Sequence, residues 1–267
     1  MKILIPTRVF ARKCYDYVSK GVFMRICLIL PGRLDTFEEM YPSLKKFIID
    51  PLNPDIFFSG YPNEKGLTYC EEKMKELWDP KKYLIRDYTD TIRKEVHPND
   101  LKFEHKTPES TPNTWLSGIY NVYLANSLKR EYEIEHQFRY DVCIKGRTDL
   151  LWYDTPTQEE LDTAKEDNKV LIPTAWDFRY ITGGGVSDVT CLSNSESMDK
   201  YCCLIKYIDE YYDNGHIFHP ESLLGHHISH MNLERIRIDK GHDPFTKQKN
   251  QTGWAVVDPN PNRIRMK

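Results

Sequence analysis

Apolar positions along this chain fall into two alternating patterns. Short, nearly continuous apolar runs predict buried strands: 25–30 (RICLIL), 55–60 (DIFFSG), 83–88 (YLIRDY), 140–145 (YDVCIK), 169–173 (KVLIP) and 233–239 (LERIRID). Between them lie stretches with helical spacing: 35–48, 67–78, 114–133, 157–167, 195–212 and 219–231. Pro42 is expected to break or kink the first, and Pro220 sits in the first turn of the last, where proline is tolerated. Residues 89–113, with three prolines and many charges, predict a surface loop, and 181–188 (ITGGGVSD) a glycine loop.

Strands alternating with helices predict a three-layer α/β/α sandwich, Rossmann-like, around a mainly parallel sheet. Met24 opens the first convincing strand. Residues 1–23 therefore read as an N-terminal appendage, 24–240 as the domain, and 241–267 as a loosely packed polar tail. In such sheets a ligand sits at the carboxyl ends of the strands. Those ends read Gly32-Arg33, Ser59-Gly60, Arg86-Asp87 and Gly146-Arg147-Thr148-Asp149. Small residues let a ligand approach the backbone, arginine suits a phosphate, and a carboxylate such as Asp149 suits a divalent metal. An Arg147–Asp149 ion pair is the alternative for that strand end.

Composition narrows the picture only a little. Lys and Arg number 37 against 40 Asp and Glu, a net charge of −3, which gives no footprint for nucleic acid or a polybasic membrane anchor. No run reaches the length of a transmembrane helix. Seven cysteines, none in a C-x-x-C pair, predict reduced thiols and a cytoplasmic setting, against which the sequon at Asn250 weighs slightly. The 17 tyrosines and 5 tryptophans fit either sugar-facing surfaces or a large aromatic core, and Trp115 and Tyr120 are assigned to the core.

In its motifs the chain resembles the GT-A-fold, nucleotide-sugar-dependent glycosyltransferases, among them small enzymes of large DNA viruses and of bacterial polysaccharide clusters. The resemblance lies in the order and spacing of "ICLILPGRLDTFEEMYPSLKKFI…NPDIFFSG", "YDVCIKGRTDLLWY", "IPTAW…GGGVSDVTCLSNSESMDKY" and "HPESLLGHHI", over roughly residues 24–240. It implies transfer of a sugar from a nucleoside diphosphate to a glycan or glycoconjugate hydroxyl, assisted by Mn²⁺ or Mg²⁺. A viral member would act in the host cytoplasm.

The family's Asp-x-Asp matches Arg147-Thr148-Asp149, where only the second acid is present, so Asp149 is the expected metal ligand and Arg147 a phosphate contact. The departure weakens the case for strict metal dependence, because an arginine supplies part of the charge stabilisation. Gly32, Arg33, Ser59 and Gly60 map to the nucleotide, and Gly183–Gly185 to the acceptor side. Glu221 is the first choice for the base that takes the acceptor proton, and Asp188 the second. His219 or His226 maps to a late histidine on the metal, and His226 and His230 stand one helical turn apart. Two alternatives stay open. One is a catalytically inactive carbohydrate-binding or scaffold domain, which the missing acid favours. The other is a sugar nucleotidyltransferase, which the short "PGRLDTF" loop disfavours.

Overall fold

The computed structural model describes residues 24–86, 112–174, 185–216, 219–238 and 255–257. The appendage, most of the predicted surface loop, and Gly183 and Gly184 lie outside the described residues.

Six of the strands are those the apolar runs predict: β1 (Ile26–Arg33), β2 (Asp55–Tyr61), β3 (Lys82–Ile85), β4 (Val142–Lys145), β6 (Lys169–Pro173) and β8 (Glu234–Ile238). Three are additional: β5 (Leu150–Trp152), β7 (Cys191–Ser193) and β9 (Ala255–Val257). Seven strands form one sheet in the order β3-β2-β1-β4-β7-β6-β8. The first four are parallel, β7 is antiparallel to both its neighbours, and β6 pairs parallel with β8.

The runs are continuous in sequence because both faces of the sheet are covered. Cys27, Ile29, Phe57 and Cys143 point into one core, and Leu28, Leu30, Phe58 and Ile144 into the other. The first core is closed by α3 (Pro112–His136), α5 (Ser195–Cys202), α6 (Ile208–Asp213) and α7 (Pro220–His230). The second is closed by α1 (Phe37–Leu44), α2 (Leu67–Trp78) and α4 (Gln158–Ala164). The chain thus forms the expected α/β/α sandwich with a mainly parallel sheet.

Three local readings change. Pro42 lies inside α1 without ending it, and the helix goes on through a π-helical turn, Lys45–Ile49. The single helix predicted over 195–212 is α5, a 3₁₀ turn at Leu204–Lys206, and α6. Three residues of the polar tail, β9, return to pair antiparallel with β5, Leu150 facing Val257.

The direction of β7 matters most for the site. An antiparallel strand begins at the edge where its parallel neighbours end. The segment 185–190 leading into β7 therefore arrives beside the carboxyl ends of β1 and β4.

Candidate functional site

A cavity of about 640 Å³ opens at that edge. Its polar side comes from the end of β1 and the loop after it (Gly32, Arg33, Asp35, Thr36), the end of β4 and its loop (Lys145, Arg147, Thr148, Asp149), and Asp188. Its opposite wall comes from α3, α5 and α7, including Trp115, Asn121, Tyr201 and Leu224. This volume lies within the range of small-ligand sites, about 300–1,000 Å³.

Arg147 and Asp149 form a bidentate pair, Nε to Oδ1 at 2.9 Å and Nη2 to Oδ2 at 2.7 Å. About a third of each side chain is exposed, on a stretch that lines the cavity. Burial pulls the Asp149 carboxyl up, but the Arg147 charge and its hydrogen bonds outweigh that and hold it below the usual carboxylate range. Arg33 is mostly exposed at the cavity edge and pairs with Asp35 at 2.9 Å.

Two glycines make the site's backbone possible. Gly32 has φ +137°, and an added Cβ would meet Thr148 Oγ1 at 2.8 Å. At Gly60, which faces Gly32 across the strands, an added Cβ would stand 1.6 Å from the Gly32 carbonyl oxygen. Gly60 therefore serves the approach of β2 to β1, and it does not line the cavity. Ser59 does not line it either. It is fully buried and donates to Asn121 Oδ1 at 3.0 Å, so it orients a side chain that does reach the cavity. Arg86 bonds the same Asn121 oxygen, and its guanidinium lies 4.8 Å above the Tyr120 ring. Asp87 is outside the described residues.

The two candidate bases differ in position. Asp188 lines the cavity and Glu221 does not. Glu221 stands beside the same segment: its carbonyl accepts from Val186 N at 3.0 Å, and its carboxylate lies 3.1 Å from His219 Nδ1. Burial, then the negative charge of Asp188, push Glu221 up to about 7, and Arg147 only partly counters them. Of the two candidates, Asp188, the second choice from sequence, is the one that lines the cavity.

The expected metal set is not gathered. Asp149 has both oxygens on Arg147, and His219 pairs with Glu221 and meets the Trp115 ring edge-on. His226 stacks on His216 with ring centroids 3.6 Å apart, and His230 lies near Tyr207 and Tyr211; none of these lines the cavity. Among the described residues no three His, Cys, Asp or Glu side chains are grouped to hold an ion. These residues do not fit a resident Mn²⁺ or Mg²⁺ as they stand.

Among the contributors that escaped the sequence reading, two stand out. Trp115, assigned to the core, also lines the cavity, and so does Lys145, hidden at the end of an apolar run. No helix among the described residues is long and apolar enough to cross a membrane. The six cysteines among them are unpaired.

No protein-family model matches the chain, and no curated protein matches it. A solved structure of mouse xyloside xylosyltransferase 1, apo form, is similar over 82% of this chain and 86% of its own, with a TM-score of 0.46 at 14% identity. A likeness of that degree concerns the outline of the fold, and it bears neither on the reaction nor on a viral or bacterial origin.

Proposed function

We propose that the chain is a glycosyltransferase that moves a sugar from a nucleoside diphosphate to a hydroxyl of a glycan or glycoconjugate. One observation carries the reading. A single cavity at the carboxyl edge of the parallel strands collects Gly32, Arg33, Arg147, Asp149 and Asp188 from three separate stretches of sequence.

In the reaction the bond from the anomeric carbon to the diphosphate oxygen breaks, and the acceptor oxygen bonds to that carbon. The nucleoside diphosphate leaves with the electron pair, and the acceptor proton passes to a carboxylate. In this reading Asp188, which lines the cavity, takes that proton. Arg147, oriented by Asp149, meets charge on the departing diphosphate, and Arg33 stands at the cavity edge.

The test is a thermal-shift screen with UDP-, GDP- and dTDP-sugars, each run with Mn²⁺ and with a chelator. A ligand of the folded state alone raises its apparent stability. A shift with one nucleotide class supports the reading, and no shift with any donor overturns it. A shift that survives chelation leaves the charge to arginine, whereas one that needs Mn²⁺ means Asp149 leaves Arg147 to hold the ion.

The bidentate pairing of Asp149 favours a second reading, a carbohydrate-binding or scaffold domain without turnover. Donor binding with neither hydrolysis nor transfer to any glycan acceptor would establish it.

A further inference from the structure

Lys145 has no role in the reaction as written, yet its surroundings are unusual for a lysine. It ends β4, two residues before Arg147, lines the cavity, and is only 2% exposed. A buried ammonium ordinarily sits against a carboxylate, because an uncompensated charge is costly to bury. Among the described residues Lys145 makes no salt bridge. Its ammonium donates instead to the main-chain oxygens of Asp188 and of Val189, the second at 3.4 Å. Burial lowers its proton affinity, the Asp188 charge works against that, and Arg147 adds to the fall.

The carbonyls it holds belong to the segment that brings Asp188 to the cavity. Val186, Ser187, Val189 and Thr190 are buried there, and Asp188 alone of residues 186–190 is only partly covered. The segment is also held through its main chain by Val186 N, which donates to the Glu221 carbonyl. That tether lies before Asp188, and the Lys145 contacts fall on Asp188 itself and on the next residue.

We propose that Lys145 is a positioning residue: its buried ammonium grips the Asp188 and Val189 carbonyls and so fixes the direction in which the Asp188 carboxylate enters the cavity. The role rests on the transferase reading above. It follows that Lys145 acts on the rate of transfer through Asp188 and leaves nucleotide binding alone.

Three measurements on wild type, Lys145→Met and Lys145→Arg test this. They are hydrogen exchange of a peptide spanning 185–192, affinity for UDP and GDP by calorimetry, and kcat and KM with the sugar nucleotide the screen selects. In Lys145→Met the peptide should exchange about 10-fold faster, as a locally loosened segment does. Its kcat should fall about 100-fold, the usual scale for a misplaced reacting group. Nucleotide affinity and donor KM should stay within about 3-fold, since that factor is under 1 kcal/mol. Lys145→Arg keeps the charge and should recover most of the protection and part of kcat. If Lys145→Met does not fold, Lys145→Gln makes the same comparison.

Unchanged exchange, or faster exchange with an unchanged kcat, overturns the role. So does a loss confined to nucleotide affinity, which would make Lys145 a ligand contact. A wild-type protein that turns over no sugar nucleotide overturns the functional reading and this role with it. An active wild type with an indifferent Lys145→Met overturns this role alone.

Discussion

Two clusters of charge among the described residues, each with a buried lysine, are built differently. In the first, Lys129 on α3 is fully buried and meets Ser195 Oγ at 2.7 Å, Asp199 Oδ1 at 2.8 Å and Glu133 at 3.5 Å. Arg139 bonds Glu133 at 3.1 Å and Asp199 at 2.9 Å, while Ser195 and the Tyr140 amide satisfy the remaining Glu133 oxygen. Burial pulls Asp199 up, yet Lys129 and its hydrogen-bonding neighbours hold it below the usual range. These groups satisfy one another and bolt α3 to α5, and none lines the cavity. In the second cluster Lys145, Arg147, Asp149 and Asp188 border open space, and Lys145 rests on carbonyls. Buried charge alone therefore does not mark a site. Charge bordering a cavity, with partners left to chain carbonyls, is the more telling arrangement.

Substitutions should separate the two. Lys129→Met leaves Glu133 with Arg139, and Asp199 with Arg139 and Arg130, as remaining cations, and it should cost about 3–5 kcal/mol in chemical denaturation. A loss below about 1 kcal/mol would remove the structural half of the comparison. Asp149→Ala should cut turnover about 100- to 1,000-fold, roughly 2.7–4 kcal/mol of transition-state stabilisation, with far less effect on the unfolding midpoint. Near-normal turnover in that variant would reduce the Arg147–Asp149 pair to an ordinary ion pair.

The smallest effect belongs to Glu221. Its carboxyl lies near 7 when folded against an ordinary 4.5, so between those pH values the folded chain keeps a proton that the unfolded chain has released. Stability contributed by this group therefore falls as pH rises through that window. Glu221→Gln should flatten the slope and stabilise the protein at pH 8 by about 1–3 kcal/mol. An identical slope in wild type and variant would show that Glu221 is not held protonated.

The strands were legible because a sheet covered on both faces leaves unbroken apolar runs, and KVLIP coincides with β6. The strand β7 was not, since three residues in a small, mixed stretch carry no period. That omission explains the order of the candidate bases. Without an antiparallel strand nothing in the sequence says that Asp188 returns to the carboxyl edge, whereas Glu221 stood out at the start of a helix. Arg147 and Asp149 were legible as a strand end, and their mutual pairing follows from a spacing of two residues. Lys145 was invisible because a lysine closing an apolar run reads as the point where the strand meets water. Ser59 and Gly60 were found at the right strand end, but they serve neighbouring backbone and side chains rather than open space.

The pairing of β5 with β9 has a consequence for how the chain is made. Leu150–Trp152 directly follow Asp149, yet the strand that completes their small sheet emerges about a hundred residues later. Contacts so distant in sequence close slowly, because a long loop must be ordered first. On the ribosome the small sheet beside Asp149 therefore cannot close until Ala255–Val257 have emerged, after the strands of both cores.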